Sequence, residues 1–431
     1  MAYSKSIVGL VAVLLIACGS SDPNAATGEN GGGSGTSPGG AGASGSAAAG
    51  TAGITGMGGT ATGGGGAGSG AAGVAGAVGG AAGSAGTGGG ATLGACTPPA
   101  DVFSPIDTLS QTGCVDPTDP RKPIARAVSY EVNSPLWSDS ADKERAFVLP
   151  AGGKIHVRDC VATPSDCPMG TQDDGRWDFP VGTVMIKIFM FDEKLVETRL
   201  FMHLDADDWI GYSYEWDEAQ TDAKLVSSDR VSVMFNTGTR TVPWNYPSQD
   251  DCITCHNKAE GSTIGPETAQ MNRTVGSMNQ IDAFTALGLF ETPPPKPYKA
   301  ALVTPYAGQL GSPPAGATKA EKARSYLHAN CGFCHRPDGA FSLFDLRYDT
   351  LLKDTHVCNV MINKPPLASA PDKNLILSPG HSMDSVMWLR MNLADPVAGR
   401  MPQIASYVVD TNAVGVVGDW IDSLTIADCA N

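Results

Sequence analysis

Cys252-Ile253-Thr254-Cys255-His256 and Cys331-Gly332-Phe333-Cys334-His335 are two copies of one pattern, a pair of thiols separated by two residues with an imidazole directly after the second. Thiols so placed can each add to one vinyl group of a porphyrin, and the adjacent histidine then lies where its ring can bind the iron from one side, as in c-type haem attachment. Zinc sites and thioredoxin-like redox centres also use paired cysteines. Zinc would call on four protein ligands per site, and a redox pair gives no reason for the histidine in both copies. The pattern therefore predicts two covalently bound haem c groups, held by Cys252, Cys255 and His256 and by Cys331, Cys334 and His335, with His256 and His335 as iron ligands.

The opposite axial ligands are sought downstream of each motif. Gly399-Arg400-Met401-Pro402 forms a loop ahead of the last apolar stretch, and Met401 is the expected second ligand to the second iron. A thioether opposite an imidazole favours the ferrous state, which suits a carrier. Met387 and Met391 compete, but they lie four apart on a predicted helix, where methionine more often fills core. For the first iron the choice is Met271, with Met278 and the histidines at 156, 203, 328, 356 and 381 as alternatives. An open sixth position would instead permit peroxide chemistry.

Outward from the motifs, Thr318-Lys319-Ala320-Glu321 has capping-box form and starts a helix whose residues Ala320, Ala323, Leu327 and Cys331 share a face. Val414, Val417, Ile421 and Leu424 are spaced for a closing amphipathic helix, and Ser382 to Asn392 for a third. Between 125 and 250 the pattern turns to period-two runs of β-branched and aromatic residues. Candidate strands cover 146–149, 154–157, 183–191, 196–203, 209–216, 230–235 and 239–242. Trp177, Phe179, Phe189, Trp209, Tyr212, Tyr214 and Trp216 are expected to form its core, with a sugar-stacking face as the alternative.

At the start of the chain, Lys5 precedes an apolar run from Ile7 to Ile16, too short to span a bilayer as a mature helix and of the form of an export signal. The run ends in Leu15-Ile16-Ala17-Cys18, which resembles a bacterial lipobox and marks Cys18 as a lipid anchor. From Gly19 to Gly94 the chain is almost wholly Gly, Ala, Ser and Thr, with nothing to bury in exchange for its entropy. It reads as a disordered tether. The expected organisation is a lipoprotein signal peptide over 1–17, a Gly/Ala/Ser-rich linker over 18–95, a β-rich domain over 96–250, a first haem-binding segment over 251–317 and a second-haem domain over 318–431. The corresponding fold class is α+β multidomain: an all-β sandwich-like domain, then a mainly α-helical cytochrome c domain.

With 44 acidic and 29 basic side chains the net charge is −15, which repels phosphate backbones and argues against nucleic acid partners. Eleven cysteines less Cys18 and the four in the motifs leave six, which in an exported chain imply disulfides. Cys96 with Cys114 and Cys160 with Cys167 are the local choices, leaving Cys358 for Cys429.

Two resemblances follow from these blocks. Tyr326-Leu327-His328-Ala329-Asn330 before the second motif, then Arg400-Met401-Pro402 and Asp419-Trp420-Ile421, make residues 318–426 similar to class I cytochrome c, apart from an unusually long middle segment. That similarity implies a helical pocket with His335 and Met401 as axial ligands. Asn133-Ser134-Pro135-Leu136-Trp137-Ser138-Asp139, Trp177-Asp178-Phe179-Pro180-Val181-Gly182-Thr183, Glu197-Thr198-Arg199-Leu200 and Pro247-Ser248-Gln249-Asp250-Asp251-Cys252 resemble a family of secreted bacterial dihaem cytochromes. The resemblance implies an electron carrier rather than an enzyme, a periplasmic or outer-membrane lipoprotein of a Gram-negative bacterium. Its redox partner would be an extracytoplasmic dehydrogenase of the quinoprotein kind on a separate chain. The competing expectations are a dihaem peroxidase and a ligand-binding module that carries haem.

Overall fold

A computed structural model describes residues 94–430, except 160–174, 206–207, 228, 230, 257–261, 309, 338, 342, 364–366, 395–398 and 404–405. Cys18, Cys160 and Cys167 lie outside the described residues. The period-two stretches form strands Val128–Ser129 (β1), Asp142–Val148 (β2), His156–Val157 (β3), Trp177–Asp178 (β4), Val184–Phe191 (β5), Lys194–His203 (β6), Trp209–Trp216 (β7), Ala223–Leu225 (β8), Val231–Asn236 (β9) and Thr241–Tyr246 (β10). β1, β2, β5, β6, β7 and β8 lie side by side in one antiparallel sheet, while β9 and β10 form a separate hairpin.

The two faces of the six-stranded sheet differ in chemistry because successive side chains point to opposite sides. One face is mainly apolar, with Ala146, Val184, Ile186, Ile188, Leu200, Tyr212 and Tyr214 packed against Leu109, Val115 and the Cys96–Cys114 disulfide. The other has three zones. Phe147, Met185, Phe201 and Trp209 join one apolar cluster, Phe189 and Phe191 join a second with Trp244 and Tyr246, and charged side chains occupy the band between. All seven aromatic residues expected in the core are buried, so they offer no exposed sugar-stacking row.

The expectation of a β-sandwich followed by a mainly α-helical domain is not met. One main sheet is present, and its second face is covered in part by the two-stranded β9–β10 hairpin, through Trp244 and Tyr246, and in part by helical turns and loops. After Gln249–Cys255 (α1), Thr268–Met271 (α2) and Gln280–Ala286 (α3), with a short hairpin Thr274–Val275 (β11) and Met278–Asn279 (β12), the later chain holds α-helices only at Lys319–Asn330 (α4), Val386–Met391 (α5) and Thr411–Asp422 (α6) among its described residues. Pro337, Pro371 and Pro379 help explain why the described residues between α4 and α5 form no α-helix: each lacks the amide that a helix interior would use.

The helices that do form carry their expected signals. Thr318 caps α4, accepting from the Glu321 amide while the Glu321 carboxylate accepts from the Thr318 amide. Ala323 and Leu327 are buried against Val417 and Ile421 of α6. A Cys358–Cys429 disulfide fastens the end of the chain to this cluster.

Candidate functional site

The first motif begins on α1, whose N-terminus is held by a reciprocal cap: Ser248 Oγ accepts from the Asp251 amide and Asp251 accepts from the Ser248 amide. The helix lies on β7 at Gly211, the one place where the sheet offers no Cβ in its path. A Cβ there would stand 2.7 Å from Cys252 Sγ. His256 ends the helix, and its ring packs on Phe201 with centroids 4.4 Å apart.

His256 Nδ1 is 2.7 Å from the Ser262 carbonyl oxygen, and His335 Nδ1 is 3.2 Å from the Phe341 carbonyl oxygen. In both motifs the partner lies six residues downstream. A carbonyl only accepts, so Nδ1 carries the proton in each ring and Nε2 keeps its lone pair. This second hydrogen bond, which fixes tautomer and ring orientation, is the usual companion of a metal-binding imidazole. Burial also pushes both imidazoles down to about 4, so they are neutral at pH 7, the form that binds a metal. Phe344 stacks on the His335 ring at 4.2 Å and holds its plane.

The second motif follows directly from α4, with Cys331 as its C-cap. Cys331 lines a small pocket together with Met401, Met391, Trp137, Tyr326 and Arg400. Met401 is placed there by its own amide, which donates to the Arg390 carbonyl at 3.0 Å. Met387 instead packs against the surrounding apolar cluster. Arg400 is 1 % exposed, and its Nη2 donates to Ser406 Oγ and the Val408 carbonyl. Its Nε and Nη1 have no partner among the described residues. Buried guanidinium donors left over at a pocket suit an anionic group, and haem brings two carboxylates. Cys331 and Met401 share this pocket with those guanidinium donors, while Cys334 and His335 are not among its lining residues.

The two motifs meet. The Cys255 and Cys334 thiols hydrogen-bond one another, and that contact together with burial raises the Cys255 pKa. Burial pushes Cys252 up to about 11 and Cys331 up to about 12, so both stand as neutral thiols at pH 7. Among the described residues no three His, Cys, Asp or Glu side chains converge as a closed zinc site requires.

A cleft of about 1660 Å³, counting its open mouth, separates the charged band of the sheet from the motifs. Cys252, Cys255, His256, Gly332 and Phe333 line it, as do Arg145, Lys187, Arg199, Glu267 and His328. Met185 also lines it, whereas Met271 does not. Met271 is fully buried in the apolar cluster with Phe147 and Phe284, and its sulfur accepts from Gln280 Nε2 at 3.5 Å. Met271→Ala should therefore cost about 2–5 kcal/mol of stability, as for other large-to-small core changes. Thermal unfolding checks this, with the absorption spectrum expected to stay unchanged.

Other histidines are engaged elsewhere. His328 accepts the Tyr348 amide on Nδ1 and so donates from Nε2 to Glu267 at 2.6 Å. His203 stacks on Trp209 with Nδ1 2.9 Å from the Phe179 carbonyl oxygen, and His156 pairs with Glu291 at the surface. The Glu267–His328 contact joins residues far apart in the chain and had no sequence signal. Lys187 did have one, since a lysine inside the apolar run Val184–Phe191 is out of place in a buried strand.

No protein-family model matches the chain, and comparison with curated proteins and with solved structures found no match.

Proposed function

We propose that this chain is an exported electron carrier with two covalently attached haem c groups. The observation that carries the reading is the repeated geometry of the two motifs. In each, the imidazole next to a thiol pair gives Nδ1 to a backbone carbonyl six residues on and keeps Nε2 for a metal, and the second cysteines of the two motifs touch. Haem bound at both would supply one-electron chemistry. The chain would fix the porphyrins by thioether bonds, orient the axial imidazoles and keep the two groups adjacent for electron exchange. Met401 is the proposed sixth ligand of the second iron. Anchoring through Cys18, a flexible tether and an extracytoplasmic dehydrogenase as donor belong to the same proposal.

Intact mass and a haem assay on protein matured in a host that attaches haem c test this reading. Two haems per chain are expected, with one lost in Cys252→Ala/Cys255→Ala and the other in Cys331→Ala/Cys334→Ala. A colourless chain with the mass of bare polypeptide would overturn it.

One observation favours a second reading, peroxide cleavage at the first iron: the Glu267–His328 pair lines the same cleft and offers a proton donor and acceptor there. A high-spin component in the oxidised spectrum, together with peroxide turnover lost in Glu267→Gln, would favour it over the carrier.

A further inference from the structure

Three cations stand in a row across the middle of the sheet. Arg145 of β2 is the register partner of Lys187 of β5, and Lys187 that of Arg199 of β6, with Ser213 of β7 next in line. Like charges directly opposite on neighbouring strands repel and destabilise the pairing. All three side chains line the cleft that also holds Cys252, Cys255 and His256.

The row is only partly compensated from within. Glu197 forms a two-pronged pair with Arg199, at 2.6 and 2.8 Å. Among the described residues no carboxylate pairs with Lys187 or Arg145. Lys187 Nζ lies 5.1 Å from the Phe189 ring centre, and Arg145 Nη1 reaches only the Lys143 carbonyl, at 3.4 Å. Arg176 borders the same cleft and adds to its positive side. Burial holds the Lys187 ammonium well below its ordinary range, and the neighbouring arginines push it further the same way. A sheet that tolerates this arrangement gains once an anion enters the cleft, because Lys187 and Arg145 then acquire the charge-assisted hydrogen bonds that only Arg199 has from within.

We propose that Arg145, Lys187 and Arg199 form a carboxylate-binding floor, so that the β-sheet supplies the anion-recognising half of the first cleft. Two sources share this chemistry: the propionate side chains of a porphyrin held by Cys252 and Cys255, or a free carboxylate that enters the cleft. The first rests on the haem reading above, and the second does not.

The test compares full-length wild type with Lys187→Met and Arg145→Met/Lys187→Met, using spectroelectrochemistry of each haem and calorimetric titration with succinate. If the carboxylates belong to the porphyrin, the variants lower the potential of the first haem, because cations near a propionate favour the reduced iron. The second haem keeps its potential, and loaded wild type binds no succinate. If they belong to a free ligand, wild type binds succinate and Lys187→Met weakens that binding at least tenfold. Folded variants with both haems and unchanged potentials, alongside a wild type that ignores succinate, would overturn the proposal. Should the chain carry no haem, the same titration still decides: binding lost in Lys187→Met upholds the floor, and no binding at all removes it.

Discussion

Glu197→Leu is expected to lower folding stability by about 3–5 kcal/mol, the usual cost of removing one partner from a buried ion pair. Glu197 is fully buried on β6 and has two charged or polar dependants. Arg199 donates to both of its oxygens, and Trp244 Nε1 donates to Oε2 at 3.0 Å. Without the carboxylate the Arg199 guanidinium would face Lys187 with no counter-charge, and the indole N–H would lose its acceptor inside an apolar cluster. An unsatisfied buried donor alone costs about 1–3 kcal/mol. Urea denaturation followed by circular dichroism should show a lower midpoint at unchanged slope.

Arg199→Met placed on top of Glu197→Leu separates the two contributions. With both charges gone, most of the lost stability should return, and what remains belongs to the Trp244 N–H. A single-variant loss under about 1 kcal/mol would show that the pair is solvated after all, in line with ordinary surface ion pairs. Equal losses in the single and double variants would place the cost in packing instead.

Much of the local structure was readable because it depends on near neighbours. Strand Trp209–Trp216 follows its alternation from end to end, Thr318 and Glu321 mark the start of α4, and Val414, Val417 and Ile421 give the buried face of α6. The Cys96–Cys114 and Cys358–Cys429 disulfides match the choice of local partners, one of roughly fifteen pairings that six cysteines allow.

What failed depends on how distant pieces meet. Alternation tells which residues share a face but not what covers it, so the sheet was assigned a full second sheet as partner when only the short β9–β10 hairpin, α1 and the loops around both motifs lie there. The helical expectation for the later chain rested on caps and apolar spacing near α4 and α6 together with the resemblance around Cys331 and Met401, and these local signals do not reach the proline-bearing stretch between α4 and α5. The hydrogen bonds that orient His256 and His335 end on backbone carbonyls, which leave no mark in a sequence. The cationic row is an intermediate case. Arg145, Lys187 and Arg199 sit at alternate positions of apolar strands, and only the register brings them side by side.

Gly211→Val is expected to abolish attachment at the first motif while leaving the second intact, so that the purified chain carries one haem in place of two. The reason is steric. The first atom of any side chain at 211 would lie 2.7 Å from Cys252 Sγ and 3.2 Å from Cys252 Cβ, well inside contact distance. Strand β7 is paired with β6 along nearly its whole length, with Phe201 opposite Gly211, and is held more firmly there than a short helix. Helix α1 has only seven residues and is tied down mainly at its Ser248 cap, so the helix gives way and carries Cys252 out of line with Cys255. Overpacking of this kind typically costs about 1–3 kcal/mol, too little by itself to unfold the sheet. Mass spectrometry of the mature protein counts the haems, and thiol alkylation of chain expressed without haem should find Cys252 more reactive than in wild type, because it has left its half-buried seat against β7. Gly211→Ala should show the same changes in weaker form. Two haems and an unaltered Cys252 alkylation rate in Gly211→Val would mean that α1 does not rest on β7 when the porphyrin is attached.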